Sequence, residues 1–322
     1  MAARFILSLD CEGKWGVADH LTAGHHAALS DERLRKAYRS LLAALDEFDI
    51  RATCAFVGCF SLPAGALRSL RPALEDLAQR VPGYLEHVLQ DSAEGSRQGW
   101  TGDWAVEAVA TARAPHEIGL HGATHIPWTW PGLTEDVARR ELGLLFDARA
   151  PILSRTTTYI FPRNADAHPH VLDEFGVAGL RRARIHPSRL ASLASEFDLL
   201  ARPEPDPPPA RPLRIPAGYF VNWLSGIRKL VPHAVSRARA RLLMERAVRT
   251  NEVVHYWTHP ENLASAPATL TLLRGILEDV ARMRDAGRCE VLTQDQYCRR
   301  LDPAHVAASE ARRDARLGRA AA

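Results

Sequence analysis

An apolar, β-forming run, Phe5-Ile-Leu-Ser-Leu9, ends in Asp10-Cys-Glu12-Gly13. Carboxylates two residues apart in a strand point to the same side of the sheet. Acid groups that close repel each other, so the pair calls for a cation or a proton; a solvated turn at a strand end is the plainer alternative. A second stretch, Glu117-Ile-Gly-Leu-His121-Gly-Ala-Thr-His125, supplies two imidazoles four residues apart. It is not the zincin pattern, which needs Glu directly after the first His, where Gly122 stands. Two histidines and one carboxylate, with the remaining positions left to water, make the ligand set of a catalytic zinc centre. Asp10 or Glu12 supplies the carboxylate.

The elements that must position these groups alternate along the chain. Strands are expected at about 4–10, 50–57, 117–120, 156–161, 177–180, 213–216, 252–259 and 289–293, separated by helical patterns such as Leu34, Tyr38, Leu41, Leu42 and Leu45 after a Ser30 cap. Thr134 is expected to cap a helix with Val137, Leu142, Leu145 and Phe146 on its apolar side. Strand, helix, strand in repetition predicts a parallel α/β array. Asp10 with Glu12, His121 with His125, Arg163 and His259 then fall at the C-terminal ends of successive strands, the rim where parallel barrels build active sites. His255, inside a strand, reads as a core histidine, and His25 and His26 as loop residues. Residues 201–212, rich in proline, read as a surface loop within one domain spanning 1–302, and 303–322 as an Ala/Arg-rich tail that is a frayed helix.

The 322 residues, 46% hydrophobic and 25% charged, can bury a full core. A net charge of +3 with basic residues interleaved on helices argues against nucleic acid. Five cysteines without paired spacing predict reduced thiols, and no apolar run approaches a membrane span. Without an apolar leader after Met1, the expected compartment is the cytoplasm.

The strand end Asp10-x-Glu12-Gly13, His121-x-x-x-His125, Phe161-Pro-Arg163-Asn164 and Thr258-His259-Pro260-Glu-Asn262 resemble motifs one, two, three and five of the NodB-type polysaccharide deacetylases, and the resemblance runs from about residue 4 to 297. It implies a distorted (β/α) barrel of about seven parallel strands with outer helices. It implies one divalent metal, zinc or else Co, Mn, Ni or Fe, and hydrolysis of an N-acetyl or N-formyl group from an amino sugar or glycan precursor. Carried over, Asp10 is the base, Glu12 a ligand with His121 and His125, Arg163 the arginine that orients the base, and His259 the acid. Trp15, Trp128, Asn164 and Asn262, beside these motifs, are expected to contact substrate, Trp130 being a further stacking candidate. The chain departs from the pattern in its Asp-Cys-Glu-Gly, where adjacent acids are usual, and in its Phe-Pro-Arg-Asn order; no fourth motif is placed. The expected substrate is made inside the cell, such as a lipid-linked or nucleotide-linked sugar. A catalytically inactive carbohydrate-binding barrel and a non-haem Fe(II) enzyme are the other classes such residues allow.

Overall fold

The long first strand explains the architecture. In β1 (Ala3–Cys11) every residue is buried, which only a strand covered on both faces permits. Its odd-numbered Phe5, Leu7, Leu9 and Cys11 join the large core shared with the outer helices. Ile6 lies in a separate small cluster with Val253, Ile215 and Tyr297, and Ser8 and Asp10 bond to Arg181. The period of two thus sends one set of side chains out to the helices and the other into the barrel.

The computed structural model describes residues 2–318. The remaining strands are β2 (Thr53–Phe56), β3 (Glu117–Leu120), β4 (Thr158–Tyr159), β5 (Gly179–Arg181), β6 (Leu213–Ile215), β7 (Tyr219–Phe220), β8 (Val253–Thr258) and β9 (Cys289–Leu292). They pair in the order β6-β5-β4-β3-β2-β1-β8-β7, with β9 against the first half of β1, and every strand pairing is parallel. β6 and β7 stand at opposite ends of that order, yet only Pro216-Ala217-Gly218 separates them. One bent segment therefore carries the sheet round from β5 to β8, giving a distorted (β/α) barrel of the NodB type with helices outside. β7 is absent from the sequence reading because two residues around a proline break show no periodicity. Thr134 does cap its helix, accepting from Val137 N, whereas Ser30 makes no side-chain cap bond.

At the periphery the proline-rich stretch is the expected surface loop, and the tail differs from expectation. The loop 201–212 is tied to the barrel base: Glu204 bridges Val253, and Asp206 accepts from Arg4 and Tyr297, each at 2.7 Å. The tail, for its part, is a docked helix, Pro303–Arg316. Val306 and Ser309 are fully buried, His305 Nε2 lies 3.1 Å from the Ala178 carbonyl and Arg313 donates to that of Thr156. A frayed end was expected from its Ala/Arg composition, but its polar residues at helical spacing bond to carbonyls just before β4 and β5. Residues 319–322 of the expected tail lie outside the described residues. The five cysteines are all buried and unbridged, and no described helix is long and apolar enough to cross a membrane.

At the base, Glu117 accepts from Thr53 Oγ1 and the Asp295 amide, at 2.7 and 2.8 Å, and from Thr158 Oγ1. Burial nevertheless pushes its carboxyl up to about 7. A carboxyl whose folded pKa is raised stabilises fully below its ordinary value and loses that contribution as pH rises through the folded one. Glu117→Gln removes the titration. Its stability relative to wild type should therefore rise between about pH 5 and 8, read from urea unfolding at each pH. A pH-independent difference would remove Glu117 from the balance.

Candidate active site

The strand ends at the C-terminal rim bring together Glu12, His121, His125 and His259. Glu12 Oε1 lies 3.1 Å from His121 Nε2, 3.0 Å from His125 Nε2 and 3.2 Å from His259 Nε2. Two histidines are oriented from behind. His121 Nδ1 faces the Ile160 carbonyl at 2.8 Å. Tyr84 Oη donates to the His125 carbonyl and so accepts from His125 Nδ1, at 2.8 Å. With both Nδ1 protons committed, both Nε2 lone pairs point at a carboxylate oxygen. Ligand atoms about 2.1 Å from a tetrahedral ion stand about 3.4 Å apart, close to the spacing seen here. Glu12, His121 and His125 thus fit a divalent cation, and Asp10, Glu12 and His259 form a second, overlapping group of candidate ligands.

Buried carboxylates hold the two loops that carry this cluster. Glu261 Oε1 accepts from the amides of Glu12 and Gly13, at 3.0 and 2.7 Å. Gly13 has a φ of +56°, and a Cβ there would meet the Gly99 carbonyl at 2.4 Å, so only glycine turns the chain at this point. Glu141 Oε1 accepts from the amides of Ala123 and Thr124 and from Thr124 Oγ1, at 2.6, 2.7 and 3.0 Å. It thereby fixes the turn between the histidines, where Gly122 and His125 have φ of +74° and +63°. Burial pushes both glutamates up to about 7, with the Glu12 charge adding to the effect at Glu261.

Asp10 is bound through both oxygens. Arg181 Nη1 and Nη2 donate to its Oδ1 and Oδ2, each at 2.8 Å, and the pair is nearly fully buried. Burial alone would raise this carboxyl; the Arg181 guanidinium outweighs it and holds the pKa below the usual value. Arg181 also donates to Ser8 Oγ and to Asn164 Oδ1, at 2.9 and 3.0 Å, and lies over the Trp257 ring. Ser8 Oγ stands 2.9 Å from His255 Nε2, and His255 Nδ1 2.8 Å from the Pro216 carbonyl. Burial, with Arg181 nearby, drops His255 to about 3. It is a neutral strut inside the barrel.

This corrects the place expected for Arg163. In the turn Pro162–Asn164 both Arg163 and Asn164 take left-handed backbone, φ +53° and +54°. That geometry sends Arg163 out to Asp19 and the face of Tyr84 and turns Asn164 in to Arg181. The arginine that holds Asp10 is Arg181, which follows Gly179 with the inward parity of β5. In sequence it is one of two adjacent arginines, with nothing to mark it.

The tryptophans also differ from expectation. Trp15 is fully buried and donates to the Trp100 carbonyl at 2.9 Å; Trp128 is packed between Tyr159 and Phe161. Both are core residues, because the turns they follow point back under the rim. Trp130 packs edge-on to Tyr84 and donates to the Pro82 carbonyl. The aromatics that meet the site are Trp257 and Phe220, with ring centroids 5.4 and 6.2 Å from that of His259. Asn262 Nδ2 stands 3.2 Å from His259 Nδ1, and His259 Nε2 faces Glu12 Oε1 at 3.2 Å. Burial would lower His259, but the charges of Glu12 and Asp10 push it up to about 9. Glu12 is likewise held well below the usual range against burial, chiefly by the charge of His259.

A parallel barrel carrying two histidines and a carboxylate on its rim defines a fold shared with known hydrolases. No protein-family model matches the chain, and no curated protein matches it. Among solved structures, a protein from Mycobacterium smegmatis assigned to the polysaccharide deacetylases is similar at a TM-score of 0.57 and 14% identity, over 96% of this chain and 92% of that one. One from Pseudomonas aeruginosa PAO1 with the same assignment is similar at 0.52 and 12%, over 94% and 93%. Puue allantoinase is similar at 0.52 and 14%, over 94% and 92%. At these identities the likeness is one of fold.

Removing Arg181 leaves a buried, unpaired carboxylate, a loss of about 3–5 kcal/mol; removing Arg163, whose side chain is 36% exposed, costs about 0–1 kcal/mol. Arg181→Gln should therefore unfold at much lower urea than Arg163→Gln. Equal stabilities in the two variants would disprove the assignment.

Proposed function

We propose that the protein is a metal-dependent amide hydrolase that removes an N-acetyl or N-formyl group from an amino sugar of an intracellular glycan precursor. The observation that carries the reading is the meeting of Glu12 Oε1 with three imidazole nitrogens directly beside the buried Asp10–Arg181 pair. A divalent ion on Glu12, His121 and His125, zinc being the first candidate, supplies a Lewis acid and brings the pKa of water down to about 7.

The chain's own residues supply the proton transfers. Amide hydrolysis needs a base for the attacking water and an acid for a poor amine leaving group. Asp10 is the base: Arg181 keeps it ionised and fixes the plane of its carboxylate, while each oxygen retains a lone pair for the proton. His259 is the acid, with its proton on Nε2 and Asn262 on the opposite nitrogen. Its position at the rim, with a side chain 21% exposed, leaves it open to the departing nitrogen. Trp257 and Phe220 frame that side of the opening and offer faces to a sugar ring. Fold neighbours assigned to the polysaccharide deacetylases support this reading. An allantoinase on the same fold makes the sugar a matter for direct assay.

Acetate and formate release should be followed with acylated amino sugars after chelation and metal add-back, with the bound metal quantified. Asp10→Asn should keep its metal and lose about 10²–10⁴-fold in kcat. Glu12→Gln, His121→Ala and His125→Ala should each lose the metal itself. Full metal occupancy in all three ligand variants, or near-normal turnover in Asp10→Asn, would overturn the mechanism.

A further inference from the structure

Among the described residues, the large apolar side chains left open to solvent fall in two stretches. Ile185, Leu190, Phe197, Leu199 and Leu200 belong to one, Ile227 and Leu230 to the other. The stretches are bolted together by polar groups. Arg228 donates to Ser192 Oγ and Glu196 Oε1, at 2.7 and 3.1 Å. Arg239 donates to the Ser195 carbonyl at 2.7 Å and pairs with Glu196 at 2.7 Å. The usual pattern of a surface element is thus inverted: Ser192, Glu196 and Arg228 turn in, while Leu190, Ile227 and Leu230 stand 73%, 59% and 75% exposed. Apolar side chains clustered in the open mark a surface that meets another apolar phase.

Two further observations say which phase. First, the stretches 182–204 and 225–231 carry six Lys and Arg against Glu196, Asp198 and Glu204; with Arg228 paired to Glu196, and Arg182 and Arg184 to Glu204, Arg189, Arg202 and Lys229 make up the basic excess. A basic rim with outward apolar side chains is the composition of an interfacial element on anionic lipid. Second, the same stretches border a cavity of about 200 Å³ lined by Arg184, His186, Arg228, Arg239 and the Glu196 carboxylate, with Trp257 and His259 on the side of the candidate site. Three guanidinium groups against the one Glu196 carboxylate leave this lining net positive, a setting that favours an oxyanion. Burial and the three arginines hold the His186 imidazole below its ordinary value. A single aromatic ring links this cavity to the acid: Arg228 lies over Phe220 at 5.2 Å, and Phe220 is 6.2 Å from His259.

We propose that this rim seats on an anionic lipid leaflet and that the acylated amino sugar reaching Glu12, His121 and His125 is the head group of a lipid-linked sugar phosphate. The phosphate lies in the arginine cavity and the apolar rim rests against the acyl chains. The inference rests on the hydrolase reading for the identity of the reacting group and on the surface alone for the lipid.

Sedimentation with phosphatidylcholine vesicles, with and without phosphatidylglycerol, tests the surface separately from catalysis. The wild-type chain should sediment with the anionic vesicles and be released by salt. The Leu190→Ser/Ile227→Ser/Leu230→Ser triple variant, melting as wild type does, should bind at least about tenfold more weakly. Failure of the wild type to sediment, equal binding by the triple variant, or a wild-type dimer that the triple substitution dissociates would each overturn the docking. For the substrate, polyprenyl-phosphate-linked N-acetylglucosamine in those vesicles should be deacylated with a kcat/KM at least about tenfold above that of soluble N-acetylglucosamine 1-phosphate. Equal rates on the two would overturn the lipid assignment and leave the hydrolase reading intact. Vesicle binding without deacylation of any acylated sugar would overturn the hydrolase reading, and the substrate assignment with it.

Discussion

A carboxylate oxygen facing three imidazole nitrogens at about hydrogen-bond distance is the constraint around which the rim is built. Two of those nitrogens present lone pairs, because their partner nitrogens are committed to Ile160 and Tyr84. Lone pairs and a negative charge converging in a desolvated place repel unless a proton or cation lies among them. The surrounding structure has to hold them there, and it does so with backbone amides fastened to two buried glutamates, Glu141 and Glu261. Glycine lets the chain turn at Gly13 and Gly122, whereas His125 takes a positive φ of +63°, a conformation that persists in a non-glycine residue where surrounding bonds over-determine it.

Below the rim, the barrel interior is a column of polar groups that satisfy one another. Arg181 bonds Asp10, Ser8 and Asn164; Ser8 meets His255, and His255 meets the Pro216 carbonyl. A buried ion pair contributes little net stability, since desolvation offsets the attraction, but removing either partner is costly. The column is better understood as a positioning device: it sets the plane of the Asp10 carboxylate and keeps that group ionised. His255 and His259, four residues apart on one strand and its end, end up at opposite extremes. Burial beside Arg181 makes the first a neutral strut, and two carboxylates make the second a ready proton carrier.

The rim is asymmetric. The Glu12 side is closed by packed aromatics, with Trp15 and Trp128 in the core, while the His259 side opens toward Trp257, Phe220 and a cavity with three arginines. The open space beside the cluster thus lies against the segments that follow β5 and β7. Those are the places where the barrel's regular alternation breaks down.

The groups that do chemistry were readable from local pattern. A period of two put Asp10 and Glu12 on one side of β1, and strand ends put His121, His125 and His259 on one rim, because such spacings depend only on backbone geometry within an element. The barrel class followed from the alternation of strands and helices. The groups that orient those residues were not readable. Arg181 acts on Asp10 from 171 residues away, and Glu261 on Glu12 from 249. No periodicity records which strand lies beside which, or to which side a turn such as Pro162–Asn164 throws its arginine. The sequence by itself determined the reactive side chains and the face each strand presents. Only the tertiary structure decided which arginine holds Asp10, which tryptophans are core, and that the last helix packs on the barrel, since these depend on register and packing between elements far apart in the chain.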